Sequence, residues 1–222
     1  MSPPRSNADQ EPTSICNKHL DRRMTTCPSS MNAPSAELLA WLDYRSKSIA
    51  MGHLALRHSM SWEDVPAMRV CFDDRLVIEG LATGFTNGAI EAAVIHARAV
   101  LEFLGLKAVK GSTTEIAELD IRRSHDDLGV EQFRGALKFT KERALSAYPG
   151  PREEAESALA TVFYAANKGL AHATASFDRN SSQSHLLEVA FRGVPVLLLN
   201  AFYRPLGLVQ PNYELTFRPR DV

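Results

Sequence analysis

Three polar side chains interrupt the stretch of the sequence that is best suited to burial. Over residues 157–177, SALATVFYAANKGLAHATASF, small or apolar residues recur at helical spacing, with Ala155, Leu159, Val162, Ala166, Leu170, Ala173 and Phe177 on one face. A helix that is small or apolar nearly all round is a buried one. Asn167, Lys168 and His172 break that pattern, and a polar group in a core costs free energy unless it is paired. Lys168 and His172 stand four apart, so they can reach one target together, whereas Asn167 lies on a different flank. Histidine titrates near neutrality and a buried lysine is displaced toward it, so this pair has the chemistry for proton transfer.

Further groups could complete such a site. A second helical run, AIEAAVIHARAVLEFLGL over 89–106, carries His96 on the side shared by Ala89, Ala93, Val100 and Phe103. Its other side holds Glu91, Ile95, Arg98 and Glu102, with Arg98 and Glu102 spaced to pair. Asp126 and Asp127 follow Ser124, which reads as a helix N-cap, and they are natural counter-charges for Lys168. The expected cluster therefore has His172 and His96 as acid–base groups and Arg98, Asp126, Asp127, Asn167 and Lys168 as ligand-binding groups. With a phosphoester bound, His172 would be the acid or base, Lys168 and Arg98 the phosphate contacts, and His96 and Asn167 the supporting groups. Each residue also has a plainer role: His96 as a hydrogen-bonded core histidine, Lys168 reaching solvent along the helix, and the two aspartates as charges at a helix start.

Other chemistries find little support. There is no phosphate loop, dinucleotide fingerprint or zinc spacing, and the serines near His172, Ser176 and Ser181, lie in no nucleophile elbow. Cys16, His19 and Cys27 lack a fourth ligand, and His53 and His58, five apart on a helix, diverge by about 140°. No metal and no cofactor are expected.

These residues have to be positioned by a mostly all-α fold, expected as a single helical bundle over 35–203. A leader over 1–34, rich in Pro, Ser, Asn and Thr, is expected to be disordered, and an irregular tail is expected over 204–222. Ser35 caps a helix over 36–59. The stretch 65–81 fits both helical spacing and the alternation of a hairpin turning at Asp73-Asp74, and helix is preferred. Residues 84–88 read as a loop, 107–123 as a polar connection, and Ser124 as the start of a helix stopped by Pro149-Gly150-Pro151. The central helix over 152–177 is expected to pair with the one over 89–106. The last helix, over 185–203, is bent at Pro195.

Composition bounds the setting. Of 222 residues, 45% are hydrophobic, and 25 Lys and Arg against 26 Asp and Glu give a formal net charge of −1. No global basic field points to nucleic acid, although a local patch is compatible with it. Three cysteines, an odd number, favour free thiols in a reducing compartment. The apolar run over 194–199 is far shorter than the roughly 20 residues needed to span a bilayer, so a cytoplasmic protein with no membrane partner is expected.

The segments IHARAVLEFLGL, HDDLGVEQF and AANKGLAHAT together resemble a bacterial family of helical proteins of unknown function. Its pattern runs His-x-Arg-x-Leu-x-x-Phe-Leu, then Asp-Asp-hydrophobic, then Asn-Lys-x-x-Ala-His. The match covers about residues 89–177, with Val100 in place of the first leucine. It implies that His96, Arg98, Asp126, Asp127, Asn167, Lys168 and His172 belong to one site. The chain is more distantly similar to HEPN domains, helical bundles in which an arginine and a following polar residue precede a histidine on one helix. Asn167 and His172 match the polar residue and the histidine, whereas Ala166 stands at the arginine position and argues against metal-free RNA cleavage. RNA or nucleotide binding is the function this implies. The competing expectation is a non-catalytic interaction module, forming a homodimer or binding a protein partner, whose polar cluster only fixes helix register.

Overall fold

The computed structural model describes residues 33–119, 126–137, 139–170 and 181–212. All but the last two residues of the expected leader, the cap expected at Ser124, and His172 lie outside these.

The fold is mostly helical. Helix α1, Ala36–Met60, begins where Ser35 accepts a hydrogen bond from the Leu38 N–H at 3.2 Å, and it buries Leu38, Leu42, Ile49 and Leu56 along one stripe.

The preference for helix over 65–81 is corrected. Strands β1, Ala67–Phe72, and β2, Arg75–Leu81, form an antiparallel hairpin. Asp73 and Asp74 take φ of 46° and 65°, the left-handed pair that a two-residue turn matched to strand twist requires. Val70 and Ile78 face each other across the ladder, and Val77 is an extra residue on β2 opposite the Val70–Cys71 step.

Helix α2, Thr83–Phe103, absorbs the loop expected over 84–88, since the chain leaves the hairpin directly into it. Ala82 donates its N–H to the Pro66 carbonyl at 2.9 Å and so ties the hairpin base to the helix start. The helix ends at Phe103 rather than 106, because Gly105 at φ 90° turns the chain away. The turn leads into β3, Leu106–Ala108, which pairs antiparallel with β4, Ile116–Glu118. This second small sheet, Leu106 apart, lies within the expected polar connection over 107–123. The Ile116 N–H donates to Glu156 on the following helix at 3.1 Å, fixing β4 there.

The long helix expected after Ser124 is also not formed over the described residues. A single 3₁₀ turn, Val130–Gln132, is followed by the short helix α3, Lys141–Ser146, whose cap Thr140 accepts from the Arg143 N–H at 3.3 Å. Helix α4, Arg152–Tyr164, then widens into a π-helical segment, Ala165–Leu170, that carries Asn167 and Lys168. Helix α5, Ser181–Leu198, contains Pro195 and passes into a second π turn, Leu199–Tyr203. A proline removes one backbone donor from the ladder, a recognised cause of helix bending. Read as one helix, Ser182–Tyr203 is long and apolar enough to cross a membrane, which lengthens the apolar run expected from sequence, and 61% of its most apolar window is buried inside the protein.

The expected pairing of the central helix holds in part. Both α4 and its π segment touch α2, but α4 packs chiefly against α5, and α2 chiefly against α1, with α5 touching both α1 and α2. One continuous apolar core runs through these four helices and α3. Within it Phe103, Phe133 and Tyr203 each meet Phe202 edge to face, at 5.3 Å for Phe103 and Phe133 and 5.4 Å for Tyr203.

Candidate functional site

His96 and Arg98 lie two residues apart on α2, and 3.6 residues per turn sends them to opposite sides of the helix. His96 faces α1. Its Nδ1 accepts a hydrogen bond from Arg45 Nη1 at 3.0 Å, and the Tyr44 ring meets it edge-on at 5.1 Å. The Arg45 guanidinium lies 3.8 Å above the Trp41 ring. Burial, followed by the Arg45 charge, holds the His96 pKa below the ordinary histidine value, so the neutral ring is favoured with its proton on Nε2. This arrangement locks α1 to α2. It leaves His96 outside both clefts that the other expected residues line.

Arg98 faces the opposite way. Its Nε donates to Glu102 Oε1 at 3.0 Å, the pair that spacing suggests, and its Nη1 donates to Asn167 Oδ1 at 2.7 Å. The second bond joins α2 to the π segment and brings together two expected site residues that are 69 positions apart. Of the five N–H donors on the guanidinium these bonds use two. Lys168 follows Asn167 in the widened turn, where π-helical geometry often marks function.

A cleft of about 490 Å³ opens beside this pair. It is lined by Arg98, Lys107, Lys110, Tyr164 and Asn167, with Glu102 as its carboxylate. Lys107 and Lys110 come from β3 and the turn after it, where Gly111 sits at φ 84°. Ser112 Oγ accepts from the Thr114 and Glu115 N–H groups at 3.2 and 3.1 Å and holds that turn in shape. These lysines were not anticipated from sequence. Their only signal is the spacing Lys107-x-x-Lys110 between Gly105 and Gly111 in a segment read as a polar connection.

A second cleft, about 520 Å³, adjoins the first through the shared Glu102 and Lys107. Glu37, Asp126 and Asp127 give it an acidic lining. The two expected aspartates therefore reach the neighbourhood of Arg98, but in the neighbouring compartment. Among the described residues no group of three or more His, Cys, Asp or Glu is arranged to hold a metal ion.

The geometry thus collects Arg98 and Asn167 in one cleft, sets Asp126 and Asp127 in the next, and turns His96 to another interface. The cleft sets two ammonium groups and a guanidinium whose plane is already oriented against one carboxylate, Glu102, so its lining is net positive and suits an anion. A search against protein-family models, curated proteins and solved structures finds no match to this chain.

Proposed function

We propose that this protein binds a small phosphate-bearing ligand of the nucleotide class in the cleft between α2, the β3–β4 turn and the π segment. The observation that carries this reading is the Arg98 guanidinium, braced by Glu102 and Asn167 beside Lys107 and Lys110. Planar guanidinium recognition of phosphate gains both energy and direction when the arginine is held in advance. The acidic compartment next door decides between ligands. A continuous phosphodiester strand leaving the basic cleft toward Asp126 and Asp127 meets carboxylates, so a mononucleotide is favoured over extended RNA.

Tyr164, half-buried in the cleft wall, offers a ring for a base. The resemblance to the bacterial family that groups Arg98, Asn167 and Lys168 in one site supports the reading, as does the more distant sequence similarity to HEPN domains. In this reading the chain is a single cytoplasmic helical bundle. His172 is the group through which binding would become catalysis.

Thermal unfolding with adenine and guanine mononucleotides, inorganic phosphate and short RNAs tests it. Native-state binding stabilises by about 2.7 kcal/mol at a hundredfold excess over Kd. The expected result is a rise with mononucleotides that disappears in Arg98→Ala and Lys110→Ala. An unchanged melting temperature with every ligand, or an equal rise in the variants, overturns it. The exposed apolar hairpin β1–β2 favours a second reading, an interaction module in which the Arg98–Asn167 bond is only a clasp between helices.

A further inference from the structure

Large apolar side chains crowd the surface around one element. Phe72 is 65% exposed, Leu81 60%, Ile78 51% and Val77 49%, and all four sit on the β1–β2 hairpin, which has no third strand among the described residues. An isolated two-stranded hairpin is marginal in water, and an unpaired strand edge is a template for another strand. The hairpin has two such edges. That of β2 is interrupted by the extra residue Val77, and a bulge is a device that blunts pairing. On β1, by contrast, no residue is extra: each of the six has a partner on β2.

The hydrogen-bonding direction of that edge follows from the turn. In a two-residue turn the closing pair, here Phe72 and Arg75, bonds inward. Because direction alternates along an antiparallel strand, Ala67, Arg69 and Cys71 present their N–H and C=O groups outward. No backbone hydrogen bond outside the ladder engages them among the described residues.

We infer that β1 pairs antiparallel with β1 of a second copy of this chain, about a two-fold axis at Val70, giving a four-stranded sheet in the order β2, β1, partner β1, partner β2. This register satisfies the outward groups: Arg69 of each copy faces Cys71 of the other and exchanges both backbone bonds with it. It sets Val70 against Val70 and Met68 against Phe72, so that the apolar row Ile78–Val70 continues across the axis. Its charges are complementary on balance. Arg69 already approaches Glu79 at 3.5 Å within its own hairpin, and its two diagonal neighbours across the axis are Asp73 at the other copy's turn and the other copy's Arg69, so two Arg69–Asp73 attractions stand against one Arg69–Arg69 repulsion. Moving the axis one residue, to Arg69, would instead oppose two guanidinium groups. The partner is therefore the same chain, recognised by a strand that complements itself. The inference is independent of the phosphate cleft, which lies on the far side of α2 from His96.

Sedimentation equilibrium of the full chain tests it, with Val70→Lys as the disrupting variant and Val77→Lys, on the bulged strand, as the control. The expected result is a dimer that Val70→Lys halves in mass and Val77→Lys leaves intact, with unchanged helical circular dichroism in both. Val70→Cys, in a background with Cys16, Cys27 and Cys71 changed to Ser, should oxidise to a covalent dimer, and Val77→Cys in the same background should not. A monomeric parent, a dimer indifferent to Val70→Lys, or cross-linking through Val77→Cys in place of Val70→Cys would overturn the inference.

Discussion

Replacing Gly52 by Ala probes the contact on which the helical core depends. A Cβ at Gly52 would lie 2.1 Å from the Ala93 Cβ and 2.9 Å from the Ala89 carbonyl oxygen, whereas carbon atoms rest about 3.5–4 Å apart. The methyl group cannot rotate away, and one of its neighbours is backbone, so relief requires α1 and α2 to separate. Two terms oppose each other. Alanine is favoured over glycine in a helix interior by about 1 kcal/mol, and overpacking a tight core typically costs about 1–3 kcal/mol. With a main-chain contact this close the upper end applies, and the net expectation is a loss of about 2 kcal/mol. Ala93→Gly alone should also cost about 2 kcal/mol, from helix propensity and the buried methyl together. The double variant moves the methyl across the interface and cancels the propensity terms. It should be more stable than additivity predicts by about 3 kcal/mol, a coupling of the size seen for residues in contact. Urea unfolding followed by helical circular dichroism measures all three. A Gly52→Ala variant stabilised by about 1 kcal/mol, the propensity term alone, would refute the close approach of α1 and α2.

Other consequences follow from single groups. The buried Tyr203 hydroxyl has no hydrogen-bond partner among the described residues, and burial, with the Asp43 charge adding to it, pushes its pKa up to about 12. Tyr203→Phe should be neutral or stabilising by up to about 1 kcal/mol, and should remove the part of the alkaline stability loss that runs from pH 10 to about 12, because the unfolded tyrosine ionises first. The lowered His96 pKa has the opposite sign: the unfolded state takes up the proton first, so stability present above pH 6.5 is lost as pH falls below it. His96→Gln, which can still accept from Arg45, should flatten that acid limb of a urea-midpoint titration. Asp74→Gly relieves a positive φ of 65° at the hairpin turn and should stabilise the hairpin by a few tenths of a kcal/mol or more, read as slower amide exchange in β1 and β2. Ser35→Ala removes the α1 cap and should cost about 1 kcal/mol in thermal unfolding.

What could be foreseen from sequence divides along the chain's own length scales. The Ser35 cap and the Arg98–Glu102 pair rest on spacings of three and four residues, and local rules reach them. The hairpin was misjudged because Met68, Phe72 and Leu76 satisfy helical spacing as well as alternation. The decision fell to Asp73 and Asp74, whose left-handed backbone is favoured by the turn they make possible. Glycine at 84 and 88 argued for a loop, yet tertiary packing of α2 on α1 carried the helix back to Thr83. The apolar face around His96 was visible, but Arg45, 51 residues away in sequence, was not. Lys107 and Lys110 acquire a role only when β3 and β4 bring their turn beside Asn167.

Isothermal titration calorimetry of a mononucleotide into the full chain and into its Arg98→Ala variant tests the central claim most directly. Binding at one site in the parent, weakened at least tenfold in the variant, a change of about 1.4 kcal/mol, is the predicted result. No heat of binding in the parent, or the same affinity in both proteins, would contradict it.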